Sequence, residues 1–168
     1  MTTIAFRRMI GELGEVFALQ EIKKKIPKGF EVKPIIERSG ADLFVHDGNG
    51  TKFYGEVKSA KEFFLHQYYN KKKGKSYSSR RRGQFHVFKH QLQESEFFCF
   101  VIRFVDDNFI TTGEKEIFYA LTSDVLKFLS YEVKSKDYKL CISNLPKINA
   151  TKEFNTILNE LIKGNSTL

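Results

Sequence analysis

The 168-residue sequence predicts an α/β fold, a mixed central sheet flanked by helices, in the element order αβββαβ and then βαβα. Three observations carry this expectation. A long stretch of good helix formers opens the chain, and three short runs of β-formers follow it. Phe97–Val105, FFCFVIRFV, is almost wholly apolar, as a central strand covered on both faces is. Around these runs, strand-like and helix-like periodicities alternate.

Taken in order, Met9–Lys25 is the first helix, free of proline until Pro27. Phe30–Glu37 reads as a strand, and Pro34 places it at an edge or a bulge. Ala41–His46 and Thr51–Ser59 form a hairpin about the turn-like DGNG. Residues 60–82 lose clear periodicity and become basic, so a helical turn and a long loop are expected there. Phe85, Phe88 and Leu92 fall at helical spacing, which predicts a helix over Gln84–Glu94. Glu116–Thr122 is the next strand, with Ser123 placed to cap the short helix DVLKFL. Tyr138–Ser143 reads as a last strand and Lys152–Lys163 as a closing helix. No repeat and no linker divides the chain, so residues 1–168 are read as one domain with a basic loop inserted at about 60–82.

Composition narrows the function classes. Apolar residues make up 41%, with 17 Phe, enough for a packed core. The longest apolar run, Phe97–Ile102, is far too short to span a bilayer, so no membrane partner is expected. The N-terminal MTTIAFRRMIGELGE lacks the pattern of a secretory signal. Cys99 and Cys141 stand apart with no CxxC, as buried thiols of a reducing, cytoplasmic compartment do. The net charge of +8 is concentrated in KKKGKSYSSRRR, which holds Lys71, Lys72, Lys73, Lys75, Arg80, Arg81 and Arg82 and no acid. The remainder carries 21 basic and 20 acidic residues, so the excess charge is almost entirely local. Such a segment attracts polyanions, nucleic acid above all. Tyr77 within it either stacks on a base or shields the segment, shielding being the simpler role.

The chemistry lies in GADLFVHDGNGTKFYGEVK. Alternation along a strand puts Glu56 and Lys58 on one face, with Tyr54. Asp42 and Glu56 are symmetric about Asn49, so a three-residue loop Gly48-Asn49-Gly50 makes them direct cross-strand partners, Cβ atoms about 5 Å apart. A two-residue loop would shift the pairing by one. Two carboxylates that close repel unless a cation lies between them, and a hard divalent metal is the natural one. The plain alternative is an exposed hairpin with an acid–base pair. On the first helix, Glu15 shares a face with Ala18, Leu19, Ile22 and Ile26, and an acid in an apolar stripe needs a partner. Glu12, one turn earlier, is a second candidate. His86 and His90 in HVFKH have the i, i+4 spacing of a metal pair, although Phe85 and Phe88 claim a face for the core.

These residues together resemble the PD-(D/E)XK nuclease superfamily: Glu15 in GELGEVFAL, Asp42 in SGADLFV, Glu56 and Lys58 in GEVKSAK. The superfamily includes type II restriction endonucleases and archaeal Holliday junction resolvases. The resemblance spans roughly residues 9–105, with Ala41 where the name has proline and an unusual basic stretch at 60–82. It implies a restriction endonuclease-like αβββαβ core. It implies that Asp42, Glu56 and the Val57 carbonyl hold Mg²⁺, for which Mn²⁺ substitutes. Glu15 would join them directly or through a water, and Lys58 would orient the attacking water. RRRGQFHVFKHQL is similar to the helix that supplies accessory groups, which points to Gln84 or Arg82. The function implied is a metal-dependent DNA endonuclease acting as a homodimer on double-stranded or branched DNA. A structure-specific, Holliday junction resolvase-like enzyme is favoured over a sequence-specific type II restriction endonuclease. A non-catalytic nucleic-acid-binding module on the same fold is the third reading.

Overall fold

The computed structural model describes residues 3–36, 40–129 and 137–165. Helix α1, Thr3–Lys25, leads into β1, Glu31–Pro34, β2, Leu43–His46, and β3, Lys52–Lys61. A hairpin of β4, Phe63–Asn70, and β5, Lys75–Arg82, follows, then β6, Gln84–Phe88, and α2, Lys89–Glu94. The chain continues through β7, Phe97–Val105, β8, Thr111–Leu121, α3, Thr122–Phe128, and β9, Asp137–Cys141. A 3-10 helix, Ile142–Ile148, and α4, Phe154–Asn165, complete it.

Five strands form the central sheet in the order β1-β2-β3-β7-β8. It is mixed: β3 runs parallel to β7 and the other neighbours are antiparallel. This is the αβββαβ order with a mixed sheet between helices, as expected. The apolar alternation of β7 explains the layering. Phe97, Cys99 and Val101 pack on one side with Ala18 and Ile22 of α1 and Phe154, Ile157 and Leu158 of α4. Phe98, Phe100 and Ile102 pack on the other with Phe85 and Val87 of β6, Val125 of α3 and Leu140 of β9. Both faces of β7 are therefore dry. Among the described residues, no helix is long and apolar enough to cross a membrane.

Several elements differ from expectation for identifiable reasons. Residues 60–82 are the end of β3 and the β4–β5 hairpin, not a helical turn and a basic loop. Asn70 caps the tip, its side-chain oxygen accepting from the Lys72 and Lys73 amides. Gln84–Phe88 is a strand antiparallel to β9, because Phe85 and Val87 fill the core at period two. The helix expected from Gln84 thus begins only at Lys89. His86 and His90 consequently do not share a helix face. Ser123 does not cap α3, whose N-cap is Leu121 without a side-chain bond. Of the strand expected over Phe30–Glu37, only Glu31–Pro34 forms, and Glu37 lies outside the described residues. Cys99 and Cys141 are free thiols.

The Tyr119 ring packs edge-on against Phe154, yet its hydroxyl is buried with no hydrogen-bond partner. Burial also pushes that hydroxyl well above the usual phenol range. Tyr119→Phe removes an unsatisfied group and keeps the ring, so it should raise stability by about 1 kcal/mol. Urea unfolding checks this, and a lowered midpoint would show that the hydroxyl has a partner.

Candidate active site

The site lies where β2 stops and β3 continues. The β2–β3 register pairs Leu43 with Gly55, Phe44 with Tyr54, Val45 with Phe53 and His46 with Lys52. That register places Asp42 opposite Glu56 across a three-residue loop. Asp42 stands one residue before the strand. Its amide donates to the Gly55 carbonyl at 2.9 Å, and its Oδ2 accepts from the Val57 amide at 2.7 Å. Within a strand, the N–H and C=O of one residue point the same way. The Val57 carbonyl therefore faces the side of β3 that β2 leaves open, next to Asp42.

Glu56 is 3% exposed. Its Oε1 meets the Lys58 ammonium at 2.6 Å and accepts from Gln91 Nε2 at 2.5 Å. Its Oε2 is buried without a hydrogen-bond partner. Burial raises the Glu56 carboxyl to about 7; the Lys58 ammonium opposes the rise and the Asp42 carboxylate adds to it. Asp42 is raised as well, chiefly by burial, against the lowering effects of the Val57 amide, Lys58 and a hydrogen bond to Glu56.

Helix α1 packs on the Phe53/Val57 side of the sheet. Gly14 permits a close approach there, since a Cβ at that position would collide with the Ser59 hydroxyl. The next residue, Glu15, is exposed rather than buried in the apolar stripe. It nonetheless feels the site. Partial desolvation raises its carboxyl first, then the charges of Asp42 and Glu12, while Lys58 lowers it. Glu12 is exposed one turn earlier on the same helix. Among the described residues, no three His, Cys, Asp or Glu side chains form a ready metal cage. The tight carboxylate pair is Asp42 and Glu56, with Glu15 acting from farther off.

The glutamine that touches Glu56 is Gln91, not Gln84, which starts β6 on its exposed side. Gln91 is buried on α2, and its Oε1 also accepts from the Phe88 amide at 2.9 Å. The sequence offers only a weak signal for it: Gln91 lies three residues after Phe88 and beside Leu92, and an amide there does not announce a carboxylate partner. Arg82 lies at the root of the hairpin, over the Phe63 ring at 5.1 Å. Arg80 lies over the same ring at 4.1 Å. Lys71, Lys72 and Lys73 occupy the hairpin turn, and Lys75 and Arg81 lie on β5, all exposed.

The donors fit a hard divalent cation. Two adjacent carboxylates, one with an orphaned buried oxygen and both shifted toward the protonated form, share a single nearby ammonium, Lys58, so the pair carries more negative charge than the protein balances. Mg²⁺ commonly takes one or two carboxylates and completes its shell with water and phosphate, so a full protein cage is not required.

No protein-family model matches the chain, and no curated protein matches it. Among the solved structures remotely similar to the chain are two nucleases. One is Hjc, a Holliday junction resolvase of Archaeoglobus fulgidus, an archaeal hyperthermophile: 12% identity, TM-score 0.48, covering 88% of this chain and 94% of that one. The other is a bacterial homing endonuclease: 14% identity, TM-score 0.39, covering 79% of this chain and 76% of that one.

Proposed function

We propose that the chain is a metal-dependent DNA endonuclease, with branched DNA favoured as its substrate and a homodimer supplying one site per strand. The observation that carries this reading is the Asp42–Glu56 pair, two carboxylates, Glu56 buried and Asp42 half-buried, with Lys58 as their one close cation. Asp42, Glu56 and the Val57 carbonyl would hold Mg²⁺, with Glu15 joining through a water. When bound, the metal would supply an activated water and Lewis-acid stabilisation of the scissile phosphate. The protein's own groups do the positioning. The Val57 amide fixes the Asp42 carboxylate, and Gln91 fixes Glu56. Lys58 is a compact cation with three donors, suited to orienting a water or a phosphate oxygen beside Glu56. The hairpin's basic residues would bind backbone phosphates, so affinity should fall steeply with salt.

The test is cleavage in Mg²⁺ of a four-way DNA junction and of linear duplexes with the same arms. Paired cuts at the junction, absent in EDTA and in Asp42→Asn, are the expected result. Cuts at fixed sites in plasmid DNA, with the junction ignored, would favour a restriction enzyme. Binding without cutting of junction, duplex, plasmid or genomic DNA would overturn the nuclease reading and leave a binding module.

A further inference from the structure

The β4–β5 hairpin is a two-stranded sheet of its own, with no third strand on either edge among the described residues. Such ribbons are marginal in water unless something covers or stiffens them. This one has a continuous aromatic ladder along one face. Phe64 and His66 meet edge to face at 6.5 Å, His66 and Tyr68 stack at 5.9 Å, and Tyr68 and Tyr77 stack across the strands at 5.5 Å. Tyr68 remains 45% exposed. Residues 63–82 contain no acidic side chain and carry all seven clustered cations. Arg81, opposite Phe64 in the register, lies on the ladder face. Arg80 and Arg82 lie on the other face, held over Phe63, while the lysines crowd the tip.

The root of the arm ties it to the site. Glu62 and Gly83, at its two feet, are joined by an amide-to-carbonyl bond of 2.9 Å. Glu62 is four residues from Lys58, about 13 Å along an extended strand. The eight-residue strands then reach out by roughly 26 Å, several nucleotides of a DNA strand. Cations alone would suffice to bind duplex phosphates. The exposed Tyr68 ring, stacked on the half-buried His66 and Tyr77, adds what unpaired bases use, a flat apolar surface flanked by phosphate-binding charge.

We propose that the β4–β5 hairpin is a stacking arm for unpaired bases, so that among branched DNAs those presenting a single-stranded segment beside the duplex to be cut are preferred over fully paired junctions. This rests on the nuclease reading for the cut but not for the binding.

The experiment measures binding by the whole protein in EDTA, where no turnover occurs. The probes are a single-stranded oligonucleotide containing 2-aminopurine and a blunt duplex of the same sequence. The single strand should show a change in 2-aminopurine fluorescence on binding. Tyr68→Ala with Tyr77→Ala should weaken it by about ten-fold or more while duplex affinity stays within about two-fold. Tyr68→Phe with Tyr77→Phe, which keeps the rings, should bind both probes like wild type. Equal losses on both probes would mean that the ladder only holds the ribbon together, and no loss on either would mean that phosphate contacts suffice. Each result overturns the arm. Ladder-dependent binding without any cleavage in Mg²⁺ would instead overturn the nuclease reading and leave the arm standing.

Discussion

Glu56→Gln should lower cleavage at least about a hundred-fold, more than loss of an outer hydrogen-bond partner costs at a metal site. The same change should stabilise the metal-free protein at alkaline pH. An unfolded glutamate releases its proton near 4.5, whereas folded Glu56 holds it to about 7. The stability linked to this proton is fully present below pH 4.5 and is lost as pH rises through 7. A difference of that size is on the order of 3 kcal/mol, with Asp42 and Glu15 shifted in the same direction. Gln in place of Glu56 keeps the shape and has no charge to bury. In EDTA, wild type should lose thermal stability between pH 5 and pH 8, and Glu56→Gln should lose much less. Mg²⁺ should restore wild type at pH 8 by neutralising the pair. Parallel pH profiles for the two proteins would show that Glu56 is not the strained carboxyl.

Gly83→Ala should destabilise the fold by about 3 kcal/mol, at the upper end for overpacking a buried position. A Cβ there would fall inside the contact radius of the Lys61 carbonyl oxygen, which belongs to the backbone and cannot swing aside, and would also press on Ile142. Gly83 donates to Glu62 and accepts from the Ile142 amide, so its displacement moves β3, β6 and the chain after β9 together. Lys58 and Glu56 ride on β3, and Gln91 follows β6. Activity should therefore fall more than stability alone accounts for. Cleavage measured well below the melting midpoint distinguishes the two: a variant fully active there would show that the foot of the hairpin does not position the site.

Much of this was legible because local chemistry and tertiary packing agreed. Asp42 and Glu56 are symmetric about a glycine-flanked turn, and the register of β2 on β3 follows that symmetry. Phe97–Val105 has no polar face to offer water, so only a central position accommodates it. The misreadings arose where the same residues satisfy two periods. Phe85, Phe88 and Leu92 fit a helix, whereas Phe85 and Val87 fit a strand; β9, distant in sequence, decides between them. In residues 63–82 the charges obscure β-formers such as Phe64, Tyr68 and Tyr77, whose ring contacts lie within the hairpin itself. Gln91 was hidden because a neutral amide announces no chemistry until a buried carboxylate faces it.

The open edges of the β4–β5 ribbon have one more consequence. Unpaired strand edges invite pairing with another copy, and lysine or arginine along them is a common safeguard. Here the safeguard would be conditional. A polyanion laid along the ribbon neutralises the charges that keep two copies apart, so edge-to-edge pairing would become permissible only on the nucleic acid. Pairing of arms between dimers would then be licensed by the substrate, and without it the dimers would stay apart.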